Sequence, residues 1–122
     1  MAAPNIVNVT SIYGKTMGAA LGTTVTTTIL TCPANKVLKI NSIIVANIDG
    51  TNAADATVQF FDNSAATSYN IAKTISVPAD STLVVISKDT AIYLEESDEI
   101  RGGASAASDL SIVISYEELD DA

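Results

Sequence analysis

The sequence has no histidine and no tryptophan, and it has one cysteine, Cys32. Without histidine there is no Ser-His-Asp triad, no Cys-His pair and no histidine-ligated zinc. One cysteine rules out an intrachain disulfide and thiolate-rich metal sites, so the fold must be held by its core alone. Basic residues are also few: Lys15, Lys36, Lys39, Lys73, Lys88 and Arg101 stand singly against 14 acidic residues, for a net charge of −8. A nucleic-acid partner needs a basic footprint to exchange for condensed counterions, and none is visible. The same sign disfavours adsorption to anionic lipid. No apolar run approaches the roughly 20 residues of a membrane-spanning helix. The opening MAAPNIVNV has neither the basic nor the apolar region of a secretory signal, so Asn8-Val9-Thr10 reads as a coincidental sequon.

What is present is a strand-former's alphabet. Hydrophobic residues make up 48% of the 122 positions and aromatics only 5%, so Val and Ile carry the apolar content, with Thr and Ser between them. The length predicts one domain over residues 1–122 with a self-sufficient core. Two short β-branched runs, Leu83–Ile86 and Ala91–Leu94, have turn chemistry at both ends and read as buried strands.

Residues 1–22 are expected to form an apolar extended arm or edge strand (Ile6, Val7, Val9, Ile12, Tyr13) and a glycine-rich loop from Gly14 to Gly22. Thr23 to Thr31 reads as a strand. Lys36 to Ile48 is the longest strand signal, with Leu38, Ile40, Ile44, Ala46 and Ile48 on one face and Ile43 and Val45 as surplus apolar residues on the other. Asp49-Gly50 predicts a tight reversal with φ > 0. Thr57–Asp62 and Ser68–Val77 follow as strands. In the second, Tyr69, Ile71, Ile75 and Val77 share a face that also receives Lys73, which predicts a bulge there. Glu99–Ser105 is a short extended segment, Leu110–Tyr116 the cleanest alternation, and residues 117–122 an acidic tail expected to fray. Eight or nine such segments with no helical period predict an all-β antiparallel sandwich, jelly-roll-like.

Chemistry-bearing constellations are sparse. Glu95, Glu96, Asp98 and Glu99 contain the paired carboxylates that a glycosidase uses, without the tryptophan-lined cleft; a solvated inter-strand turn is the plainer reading. The same four, or Asp49, Asn52 and Asp55, offer hard oxygens for a structural calcium, but neither stretch has the twelve-residue loop pattern. Cys32 reads as a small structural cysteine. Tyr13, Tyr69, Tyr93 and Tyr116 fit core or rim packing, or a sugar-contacting surface. No catalytic residue, cofactor or metal ligand is assigned.

Three stretches, INSIIVANIDGTNAADATV (Ile40–Val58), AKTISVPADSTLVVI (Ala72–Ile86) and IYLEESDEIRGGASAASDL (Ile92–Leu110), resemble small virion structural proteins of tailed marine phages, especially cyanophages. The resemblance implies a non-enzymatic virion role: a small β-sandwich that decorates or cements the head lattice. Its partner would be the major capsid protein or another virion protein, and its place the capsid surface after synthesis in the host cytoplasm. The alternative is a carbohydrate- or calcium-binding module of a neck, tail or fibre appendage. Ile6, Val7, Val9, Ile12, Tyr13, Ile43 and Val45 are the candidate partner interface, and their surplus apolar surface predicts a homotrimer.

Overall fold

A computed structural model describes residue 7 and residues 9–120 of the chain. The strands are β1 (Ser11–Ala20), β2 (Thr28–Thr31), β3 (Lys36–Asn47), β4 (Ala54–Asp62), β5 (Thr67–Val77), β6 (Thr82–Ile86), β7 (Ile92–Leu94), β8 (Glu99–Ala104) and β9 (Leu110–Asp120). The only helical element among the described residues is a single 3-10 turn, Lys88–Thr90, between β6 and β7.

The topology is a long hairpin rolled up on itself. Its tip is the turn between β4 and β5, and its arms pair antiparallel in succession: β4 with β5, β3 with β6 and β7, β2 with β8, β1 with β9. Pairing of β3 with β9 and of β4 with β8 then rolls the arms into two sheets, ordered β1-β9-β3-β6 (β7 continuing beside β3) and β2-β8-β4-β5. This is the jelly roll, with β6 and β7 acting as one interrupted edge strand. Leu38, Ile40, Ile43, Val45, Ile112 and Ile114 of the first sheet face Ala56, Val58 and Ile100 of the second across a single core.

Several sequence expectations change here, each for a local reason. The face of β3 switches part-way. Leu38 and Ile40 point inward, then a bulge between Ile40 and Ser42 shifts the phase, and Ile43 and Val45 point inward after it. Both are fully buried in their own subunit's core, so neither belongs to a surplus outer face. Ile44 and Ala46 take the outer positions, and Ile48 is 63% exposed. Gly14 to Ala20 is not a loop but most of β1, held in register with β9 over ten residue pairs. Glu117 to Asp120 likewise stay in β9, where Glu118 and Leu119 are buried. Ion pairs from Lys15 to Glu118 and from Lys36 to Asp120 hold that end.

The strand expected over Thr23–Thr31 is confined to Thr28–Thr31. Residues 22–27 instead cross β8 as a strap: Gly102 donates to the Thr27 carbonyl at 3.0 Å and Ala104 to that of Gly22 at 2.8 Å. A Cβ on Gly103 would lie 2.7 Å from Val25 Cα and 2.8 Å from the Thr24 carbonyl oxygen, so only glycine admits this strap. At Asp49-Gly50 the turn uses no positive φ. The Asp49 carboxylate instead accepts from the backbone amides of Thr51 (2.8 Å) and Asn52 (3.3 Å). These bonds hold its pKa below the ordinary carboxylate value. The bulge predicted near Lys73 is present. Val58 pairs with Ala72 and Ala56 with Ile75, while Thr74 adopts φ 47° and donates its amide to Thr57 Oγ1.

Candidate interaction cleft at an open edge of the sandwich

Strands β5 and β6–β7 are the edges of the two sheets on the same side of the roll. The 3-10 turn cuts β7 to three residues, and the bulge at Lys73–Thr74 bends β5. The sheets therefore do not close over each other there. The gap is a cavity of about 230 Å³ lined by Phe60 of β4, Tyr69 and Ile71 of β5, and Ile92 and Tyr93 of β7. Phe60 and Tyr69 are cross-strand partners whose rings lie nearly parallel, with centroids 6.5 Å apart, and form one wall. Ile92 pairs with Ile40 and so faces inward opposite them.

The composition of this lining decides what it can do. All five residues are apolar or aromatic, none is charged, and the polar groups on their side chains are two phenol hydroxyls. Tyr69 is 54% and Tyr93 47% exposed, so much of their surface is uncovered in the isolated chain. No carboxylate, amine or thiol is among the lining side chains. The cleft suits an apolar side chain or a flat ring face inserted between two tyrosines.

In the acidic run Glu95 is exposed, but the other three carboxylates have a different fate from either a wet turn or a metal site. The Asp98 carboxylate is buried and accepts from the amides of Glu95 and Asn63, both at 3.0 Å, which ties the β7–β8 turn to the tip of the rolled hairpin. Glu96 accepts from the Asn35 amide at 2.6 Å. Glu99 accepts from Thr28 Oγ1 at 2.6 Å and from Arg101 Nε at 2.8 Å, and Arg101 in turn lies 3.7 Å over the Phe61 ring. The Arg101 bond, ahead of that from Thr28, holds the Glu99 carboxyl below its ordinary pKa. These carboxylates are thus spent on separate backbone and side-chain donors. Among the described residues, no three Cys, Asp or Glu side chains converge as a metal-holding group. Cys32 is buried beneath the turn it begins, its thiol 3.2 Å from the Lys36 carbonyl, and burial raises its pKa to about 11.

The expected interface residues do not meet at the cleft. Ile43 and Val45 are interior, which leaves only the arm residues of the seven whose surplus surface suggested a trimer. Val7 is exposed and Val9 half-buried, while Ile12 and Tyr13 are exposed on β1, at the other edge of the sheet from β6 and β7. Ile6 lies outside the described residues. Of the shared face Tyr69, Ile71, Ile75 and Val77, only Val77 is buried; the other three are exposed. The cleft residues Phe60, Ile71 and Ile92 carried no separate signal, because an apolar strand residue reads as core unless the opposing strand is known to stop short. Compared with known proteins, the chain matches no protein-family model and shows no significant similarity to a curated protein.

Proposed function

We propose that this protein is a non-enzymatic structural component of a tailed-phage virion, a jelly-roll module that binds the head lattice as decoration or cement. Three things support the reading: the resemblance over Ile40–Val58, Ala72–Ile86 and Ile92–Leu110, the jelly-roll topology, and the cleft. Topology alone is an analogy, since jelly rolls also serve lectins and cupins. The observation that carries the reading is the uncharged, aromatic-lined opening on a subunit of net charge −8. Like charge keeps free subunits apart in solution, while one apolar recess accepts a protruding side chain from the major capsid protein. A cavity of about 230 Å³ has room for one large apolar side chain or two small ones.

Purified protein titrated onto undecorated capsids tests this. Ile71→Ser and Tyr93→Ser should each weaken binding by at least about tenfold, the scale of a hot-spot contact. Both side chains are substantially exposed, so thermal melting should change little. Unchanged capsid binding by both variants would overturn the role given to the cleft.

A second reading keeps one specific observation. Tyr69 and Tyr93 line the same cleft, as the stacking walls of a carbohydrate site do. Saturable binding on a glycan array, lost in Tyr69→Ala, would favour a receptor-contacting appendage module over lattice attachment.

A further inference from the structure

Sheet edges present unpaired backbone donors and acceptors, and proteins that stay apart interrupt them by bulges, breaks or shortness. Of the four edges formed by the described strands, three are interrupted in this way. Strand β5 is bulged at Lys73–Thr74, β6 and β7 are separated by the 3-10 turn, and β2 has four residues with a register shift between Thr28 and Leu30. The fourth, β1, pairs with β9 from Ser11 to Ala20 without a single shift. It contains no proline, and its one charge, Lys15, is tied to Glu118 at 3.3 Å.

The ladder phase says which groups of β1 are unused. The Leu21 amide donates to the Leu110 carbonyl at 2.9 Å, next to the pair Ala20–Ser111. In an antiparallel ladder the bonded residues alternate, so odd-numbered residues of β1 bond to β9. Ile12, Gly14, Thr16, Gly18 and Ala20 therefore aim their N–H and C=O groups at the open edge. Ile12 and Tyr13 are also 60% and 51% exposed there.

We propose that β1 is a self-pairing edge: two copies of this chain join antiparallel through Ile12–Ala20, about a two-fold axis at Thr16. In that register Ile12 faces Ala20, Tyr13 faces Ala19, Gly14 faces Gly18, Lys15 faces Met17, and Thr16 faces its own equivalent. Ile12 and Tyr13 each meet an alanine, the flexible Lys15 and Met17 meet each other, and no like charges stand opposite each other. The Thr–Thr pair is a favoured cross-strand neighbour. Every outward N–H and C=O from Ile12 to Ala20 finds a partner, and the two first sheets become one continuous sheet. A two-fold contact of this kind is self-complementary and closes at the dimer. It stands independently of lattice attachment through the cleft, which lies at the opposite edge.

Amide hydrogen exchange followed across a concentration series, alongside sedimentation equilibrium, tests the proposal on the full chain. The expected result is a doubling of mass, with protection of the amides of Ile12, Gly14, Thr16, Gly18 and Ala20 rising at least about tenfold as the dimer fills. Thr16→Pro removes an outward N–H that the β9 ladder does not use, a place where an edge strand tolerates proline, so it should weaken dimerisation at least about tenfold. A wild type that stays monomeric to about 1 mM overturns the proposal. So does a dimer or trimer in which those five amides exchange as fast as in dilute solution. The wild-type exchange data decide the matter even where the proline variant fails to fold.

Discussion

The side-chain amide of Asn47 donates to the main-chain carbonyl of Val77 at 2.9 Å, joining the end of β3 in one sheet to the end of β5 in the other. The same Nδ2 donates to the Asn52 carbonyl at 2.9 Å, and Oδ1 accepts from the Asp49 amide at 2.8 Å. Asn47 is 4% exposed, so this one side chain supplies partners that water cannot. Asn47→Ala strips a partner from the Val77 carbonyl and frees the 47–52 loop. We expect a loss of about 2–4 kcal/mol in urea unfolding, within the range for a broken buried network. A loss within experimental error would mean that the sheets are held together at this end by packing alone.

Gly103 and Gly14 form a matched pair for testing the strap. A Cβ at Gly103 meets backbone atoms of Thr24 and Val25 at 2.7–2.9 Å, whereas at Gly14 it meets nothing within 4 Å. Gly103→Ala must push residues 22–27 off β8 and should cost about 1–3 kcal/mol, as overpacking does. Gly14→Ala restricts only the unfolded chain and should be neutral or stabilise by up to about 1 kcal/mol. Equal effects on denaturation midpoints would contradict the close crossing.

Cys32 should behave as a shielded thiol. Burial raises its pKa from 9.0 to about 11, so at pH 8 the native protein should react with a thiol reagent far more slowly than the urea-unfolded chain. The sign for stability follows from the same shift. The unfolded thiol ionises first, so the contribution of Cys32 is complete below pH 9.0 and is lost as the pH rises through about 11. Cys32→Ala should remove that component of the alkaline fall in stability, measured as urea midpoint against pH.

At the acid end the relevant group is Glu99. Arg101 and Thr28 hold its folded-state pKa below the ordinary carboxylate value, so the folded protein binds its proton less readily than the unfolded chain. Its stabilising contribution is full above the unfolded value and disappears as the pH falls through the lower folded one. Glu99→Gln should lower stability at neutral pH and flatten the decline that sets in as the pH falls below the ordinary carboxylate value. An acid limb as steep as that of the wild type would place the titrating groups elsewhere.

The fold class was open to sequence reading because strand formation here is local. Alternation in Leu110–Tyr116 and the β-branched runs at Leu83–Ile86 and Ala91–Leu94 needed only period and turn chemistry, and each lies within or over an observed strand. The bulge near Lys73 was legible for the same reason, since a charge on an apolar face breaks the period. Ile43 and Val45 show where local reasoning stops. Their inward direction depends on one extra residue in β3, opposite Ser115 and Tyr116 of β9, and a period of two inverts at a single insertion.

The candidate cleft belongs wholly to the tertiary level. Tyr69 and Tyr93 are apolar-strand residues in sequence, and they become exposed walls of one cleft because β5 and β7, on which they stand, are edges on the same side of the roll. The Glu95–Glu99 run is similar: sequence showed negative charge, and only the rolled hairpin brought the backbone amides of Asn63 and Asn35 within reach to donate to two of those carboxylates. Residue type determined that this chain forms short strands around an aliphatic core, because burial and backbone preference act within a few residues. Which strand ends at an edge, which face is left uncovered and which carboxylate finds a donor were decided by contacts between residues distant in sequence, and no local pattern encodes those.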